Sequence, residues 1–129
     1  MQTQLLAAAI AARQRAYAPY SNFQVGAAVL TSSGEIFAGC NIENASYGAT
    51  VCAERVAIFK AVAAGHRDIT ELLVVGDTPQ PLAPCGICPQ VMREFNIATI
   101  HLANCAGQIE TMTLEQLLPC SFGPEALHE

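Results

Sequence analysis

The chain has 129 residues, 52% hydrophobic and 13% charged, and a formal net charge of −5. This composition excludes disorder as the general state, and the longest apolar run, the eight residues 5–12, falls short of the roughly 20 that a membrane-spanning helix needs. One lysine and five scattered arginines make no basic stripe for polymeric DNA or RNA.

The length predicts a single domain over residues 1–129. Residues 3–16 predict a helix rich in Ala and Leu, with Thr3 as its cap. Residues 17–22 are turn-like around Pro19. Residues 23–31 and 35–40 predict a hairpin that turns at Ser32, Ser33 and Gly34. The polar residues 41–50 predict an irregular loop, and 51–64 a helix closed by Gly65. A buried strand follows at 70–76, and three prolines within 77–84 force a loop. Next come a helix from near Cys85 to Phe95, a strand at 98–104 and a turn at Gly107. A short helix at 113–119, capped by Thr113 and stopped by Pro119, precedes an irregular tail. Strands separated by helices predict parallel pairing in the later half, and the first hairpin is antiparallel. The expected fold is α/β, a mixed sheet with helices on both faces.

The low charge content fits either a small-residue-rich chain with a weakly charged surface or, the favoured reading, a surface covered by other subunits. No basic segment precedes an apolar core and cleavage site, so the expected location is cytoplasmic. Six cysteines, Cys40, Cys52, Cys85, Cys88, Cys105 and Cys120, then read as reduced thiols or metal ligands rather than disulfides.

Two segments carry chemistry. Cys52-Ala53-Glu54-Arg55 opens a helix, and Pro84-Cys85-Gly86-Ile87-Cys88 ends the proline-rich loop at the start of another. Helix N-termini offer free N–H groups and a positive dipole end, which favour thiolate. A C-x-x-C pair can direct both sulfurs at one ion, and Cys52 makes a third ligand. A catalytic zinc site leaves its fourth position to water. Glu54, two residues after Cys52, is placed to move protons to and from that water. Thiolates nearby should raise its pKa. Three thiolates leave a net negative centre, which calls for a donor to the sulfurs. Arg55 and the two helix N-termini are the candidates, the alternative for Arg55 being an ordinary surface arginine.

Residues 17–30 (YAPYSNFQVGAAVL), 39–48 (GCNIENASYG), 52–55 (CAER), 84–88 (PCGIC) and 112–122 (MTLEQLLPCSF) together span most of the chain. In order and spacing this set resembles the small, homotetrameric, zinc-dependent cytidine deaminases. The resemblance implies a three-layer α/β/α fold with about five strands. It implies hydrolytic deamination of cytidine and 2′-deoxycytidine to the uridines and ammonia, a reaction of pyrimidine salvage. One Zn²⁺ per subunit would sit on Cys52, Cys85 and Cys88, with Glu54 as the proton shuttle. Phe23 would lie against the pyrimidine, Asn41 and Glu43 would bind the ribose, and the backbone around Ala53 would approach the base carbonyl. Ala45 and Tyr47 from one neighbouring subunit and Phe122 from another would complete each pocket.

One departure stands out. Members of that family usually carry Arg-Gln after the second cysteine of PCxxC, and here Pro89 precedes Gln90. Proline is comfortable only in a helix's first turn. If the helix begins near Cys88, Pro89 fits; if it begins near Cys85, the next turn is perturbed. Four other readings compete. One is a deaminase of N4-substituted pyrimidine nucleosides or of a blasticidin-type antibiotic. Another is a polynucleotide editor, which the lack of a strand-binding patch disfavours. A third is a non-catalytic zinc module closed by Cys40 or Cys120. The last is a thioredoxin-like role for Cys85 and Cys88, which leaves Cys52 and Glu54 unexplained. His66, His101 and His128 lie outside every motif.

Overall fold

A computed structural model of the protein describes residues 1–127. The elements in chain order are α1 (Gln2–Arg13), β1 (Val25–Thr31), β2 (Ile36–Cys40), α2 (Ala53–Ala63), β3 (Ile69–Gly76), α3 (Ile87–Glu94), β4 (Thr99–Asn104), β5 (Ile109–Thr113) and α4 (Leu114–Leu117). Short 3-10 turns lie at Tyr47–Ala49 and Pro124–Leu127. The five strands form one mixed sheet in the order β2-β1-β3-β4-β5. β1 is antiparallel to both β2 and β3, β3 is parallel to β4, and β5 returns antiparallel to β4.

Alternation along the strands divides the core between two faces. Ala27, Val29, Leu72, Val74, Ile100 and Leu102 pack toward α2 and α3. Ala28, Leu30, Leu73, Val75 and Ala103 pack toward Leu5 and Ala9 of α1. This is the expected three-layer α/β/α arrangement with a mixed, five-stranded sheet. Close layering depends on missing side chains: a Cβ on Gly26 would stand 2.0 Å from the Ala9 carbonyl oxygen of α1. His101 faces the α1 side, buried, with Nε2 2.7 Å from Glu71 and Nδ1 2.8 Å from Thr111 Oγ1. His128 lies outside the described residues.

Several boundaries differ from expectation. Met1, not Thr3, caps α1, and Thr3 lies inside its first turn without a capping bond. α1 also ends early, because the Tyr17 N–H is drawn to the Asn41 carbonyl at 3.0 Å. β5 is an addition to the expected elements. Its burial alternates only partially, so its exposed residues read as loop. α4 is shorter than 113–119, but Thr113 caps it as expected, in a reciprocal box with Gln116. α3 begins at Ile87 with Gly86 before it. Pro89 is therefore the third helical residue, where its missing N–H has no intrahelical acceptor to lose.

The topology prepares one end of the sheet for the site. β2 and β3 both oppose β1, so they run the same way. The chain leaves β2 toward α2 and leaves β3 toward α3 at that shared end. β1 also starts there, since Val25 pairs with Gly76 and Gly26 with Cys40. Phe23, Asn41, Cys52 and Cys85 are thus delivered to one place by four different chain segments. Such carboxyl ends of strands are the usual position of α/β sites.

Candidate active site

Cys52 is the residue before the first turn of α2, with extended backbone (φ −70°, ψ 154°). Cys85 precedes α3, and Cys88 is its second residue, its N–H bonded to the Cys85 carbonyl at 3.2 Å. That tight turn puts the Cys85 and Cys88 sulfurs 3.3 Å apart, and the Cys52 sulfur lies 3.2 Å from that of Cys85. All three sulfurs fall within 4.8 Å of one another. Three sulfurs on a tetrahedral Zn²⁺, each bonded at about 2.3 Å, lie about 3.8 Å apart. The cluster has that scale and that donor chemistry, so the residues fit the metal. Cys88 is buried, Cys52 half-buried and Cys85 exposed, which leaves an open side toward the surface. Among the described residues no fourth donor joins the group. Cys40 instead lines a separate cavity between α1, β2 and α2.

The charges are arranged around this cluster. The neighbouring Cys88 thiol, then Cys85 and Arg55, pull the Cys52 thiol down to about 5 against the effect of burial. Hydrogen bonding to Cys52 and burial push Cys88 the other way. These shifts favour the thiolate, the metal-binding form, at Cys52. Arg55 Nη2 lies 3.7 Å from the Cys52 sulfur and 3.2 Å from the Thr50 carbonyl oxygen. Its Nε is buried without a hydrogen-bond partner. Glu54, 3% exposed, is pushed up to about 7 by burial, with the Cys52 charge adding to the effect.

A cavity of about 220 Å³ opens on the sulfurs. Phe23, Asn41, Cys52, Ala53, Glu54 and Cys85 line it, with Val25 and Leu82 on its apolar side. Asn41 is fixed on both sides of its amide: Oδ1 accepts the Val25 N–H at 2.9 Å, and Nδ2 donates to the Phe23 carbonyl at 2.8 Å. Glu43 and Tyr47 line an adjoining cavity of about 310 Å³ with Tyr20 and Ser21, and Thr50 borders both cavities. The Ser21 hydroxyl, with the Ser21 and Tyr20 N–H groups, holds the Glu43 carboxyl below its ordinary range. Ala45 is exposed on the same loop. Phe122 lies apart from both cavities, with 61% of its surface exposed.

Sequence reasoning missed three groups here. Leu82 and Ala83 line the pocket from a loop whose only visible signal was its prolines. Ser21 bonds to Glu43 across the turn that precedes β1. On α3, Gln90 donates to the Phe122 carbonyl at 2.9 Å, and Arg93 Nε reaches Ser121 Oγ at 3.0 Å and pairs with Glu125. Their i,i+3 spacing places Gln90 and Arg93 on one helix face. Only the fold reveals that the chain's C-terminal segment returns to that face.

Comparison with known proteins agrees with this geometry. Residues 1–104 match the family model described as the cytidine and deoxycytidylate deaminase zinc-binding region. A cytidine deaminase of Halalkalibacterium halodurans is 50% identical over 127 residues, covering 97% of this chain and 96% of the relative. The crystal structure of a cytidine deaminase from Burkholderia pseudomallei superposes with a TM-score of 0.91 at 49% identity, over 95% of this chain and 99% of that one. A cytidine deaminase structure from Mycobacterium tuberculosis gives a TM-score of 0.81 at 36% identity, over 95% and 97% of the two chains. The family match spans both helix starts that carry the sulfurs, and the chain belongs to the cytidine and deoxycytidylate deaminase family.

Proposed function

We propose that the protein hydrolyses cytidine and 2′-deoxycytidine to uridine and 2′-deoxyuridine, releasing ammonia, and so serves pyrimidine salvage. The observation that carries the reading is Glu54: a buried carboxyl, shifted toward neutrality, on the first helical turn beside three convergent sulfurs. Cys52, Cys85 and Cys88 are the residues to hold one Zn²⁺. When bound, the metal supplies Lewis acidity, which makes water a competent nucleophile near neutral pH.

The protein's own groups do the rest. Glu54 takes a proton from the attacking water and passes it to ring N3 as the oxygen bonds to C4. It carries the second proton to the amine, and the C4–N4 bond breaks with loss of ammonia. In the metal-free chain burial raises this carboxyl to about 7, in the direction that suits a group that must both accept and donate protons. Phe23 lies against the ring, and Asn41 and Glu43 take the ribose. The backbone at the start of α2, around Ala53, approaches the base carbonyl. Arg55 draws charge from the Cys52 sulfur.

We further propose a homotetramer with shared pockets, in which each chain acts as one catalytic domain, located in the cytoplasm. Tyr47 is 76% exposed and Phe122 61%, large apolar surfaces for a monomer to leave in water. Ala45 and Tyr47 would reach one neighbouring pocket and Phe122 another. Among the described residues no helix is long and apolar enough to cross a membrane.

An ultraviolet assay on cytidine, 2′-deoxycytidine and N4-substituted cytidines, with zinc quantified and sedimentation run on the same sample, tests this reading. The expected result is turnover of the first two, one zinc per chain and a tetramer. Turnover of N4-substituted cytidines alone overturns the substrate. An active monomer overturns the shared pocket.

A further inference from the structure

We infer that Ser21 is a positioning residue for substrate binding, whose hydroxyl ties the Glu43 carboxylate to the Phe23 backbone and leaves that carboxylate room for a single ribose hydroxyl. The inference rests on the proposed role of Glu43 in holding the ribose.

The hydrogen bonds define the arrangement. Glu43 Oε1 accepts the Tyr20 N–H at 2.9 Å and the Ser21 N–H at 3.1 Å. Glu43 Oε2 accepts the Ser21 hydroxyl. The Ser21 oxygen itself accepts the Phe23 N–H at 3.1 Å, so its proton is committed to Glu43. Between Ser21 and Phe23, Asn22 has φ +57°, a left-handed conformation that Asn tolerates, and it folds the turn back over the carboxylate. On its other side, Phe23 is held through its carbonyl by Asn41 Nδ2. The Phe23 backbone is therefore fixed on both sides by the same two residues that serve the sugar, one of them acting through Ser21.

Counting acceptor positions gives the specificity. An ionised carboxylate offers about four lone-pair sites. Both on Oε1 are taken and one on Oε2 is taken. One remains, on Oε2, and it accepts one hydroxyl. Glu43 thus holds one ribose hydroxyl. Of the two ring hydroxyls only the 3′-hydroxyl is common to both proposed substrates, cytidine and 2′-deoxycytidine, so on that reading it is the one that Glu43 takes, and 3′-deoxy substrates lack it.

Steady-state kinetics of Ser21→Ala, Ser21→Thr and Glu43→Gln on cytidine and 3′-deoxycytidine test the inference. Ser21→Ala is expected to raise KM for cytidine about tenfold with kcat within about twofold, the size of one lost charge-assisted bond. Ser21→Thr, which keeps a hydroxyl, is expected to restore KM, and it preserves the test if Ser21→Ala fails to fold. On 3′-deoxycytidine the Ser21→Ala effect is expected to shrink to about twofold or less, since the bond it prepares is already missing. An unchanged KM for Ser21→Ala, with a raised KM for Glu43→Gln, overturns the inference and leaves the ribose role of Glu43 standing. An unchanged KM for Glu43→Gln overturns that role itself. An equal Ser21→Ala effect on both nucleosides overturns the link through Glu43 and assigns the effect to Phe23 alone.

Discussion

Replacing Glu54 with Gln is expected to lower kcat for cytidine by roughly 10³–10⁴-fold while one zinc per chain stays bound. Positioned proton transfer contributes up to about 10⁴-fold, and here one carboxyl serves two transfers in each turnover. Gln keeps the shape and the hydrogen-bonding reach but exchanges no proton. The sulfurs are unaffected, so metal analysis separates lost chemistry from a lost site. Folding stability gives a second, independent readout in the metal-free protein. Glu54 rises from 4.5 to about 7 on folding, chiefly through burial. An acid with a raised folded pKa contributes no penalty below pH 4.5, where both states are protonated. Its ionisation destabilises the fold progressively as pH climbs from 4.5 to about 7. Glu54→Gln removes that penalty, so the metal-free variant is expected to exceed the parent by about 3 kcal/mol at pH 8 and to match it at pH 4. Urea unfolding at the two pH values measures the difference. A dead variant that is also more stable at high pH marks a residue kept for chemistry at the cost of stability. A variant retaining substantial turnover removes Glu54 from the reaction.

Much of the site was legible because its chemistry is local in sequence. The spacing of Cys85 and Cys88 fits one tight turn, and Cys52 with Glu54 fits one helix start. Nearly continuous apolar runs within 23–31 and 70–76 likewise made the central strands readable, since both of their faces are buried. β5 escaped notice because an edge strand buries little, and Ile109 and Met112 are only half-buried. Thr3 misled because a cap needs a free N–H one turn ahead, and Met1 already occupied the position before the helix. Pro89 could not be judged until the start of α3 was known, since one or two residues separate comfort from disruption there.

What stayed hidden depends on distant segments meeting. Ser21 gains its role only because Glu43, 22 residues later, returns beneath its turn. Gln90 grips a carbonyl 32 residues further on. These contacts follow from the segments before β1 and after β2 meeting beside the hairpin and from the C-terminal segment crossing α3, neither of which a local motif announces. Tyr20, Tyr47 and Phe122 are exposed aromatic side chains, as the proposed contact with other copies of the chain requires.

Removing Cys88 is expected to abolish both zinc binding and activity, and to cost more stability than removing Cys85. Cys88→Ala leaves two sulfurs, and a two-ligand site lacks most of the roughly 10–16 kcal/mol that a complete structural zinc site supplies. After dialysis, zinc content is expected to fall below about 0.1 per chain, with turnover at background and no recovery on adding zinc at micromolar levels. Cys85→Ala is expected to lose the metal in the same way, but the two differ in packing. Cys88 is wholly buried within the core cluster that includes Met92 and Ala53, whereas Cys85 is exposed. In metal-free protein, Cys88→Ala therefore leaves a small internal void and is expected to lower stability by about 1 kcal/mol, and Cys85→Ala is expected to be neutral. Cys40→Ala and Cys120→Ala are expected to keep zinc and turnover, because neither sulfur belongs to the three-sulfur group. Loss of zinc from either of these two variants would falsify the open three-cysteine site and favour a closed structural one. Chelation of the parent protein supplies the matching control. It is expected to lower Tm, because a ligand that binds only the folded chain stabilises it by mass action, and to leave the Tm of Cys88→Ala unchanged.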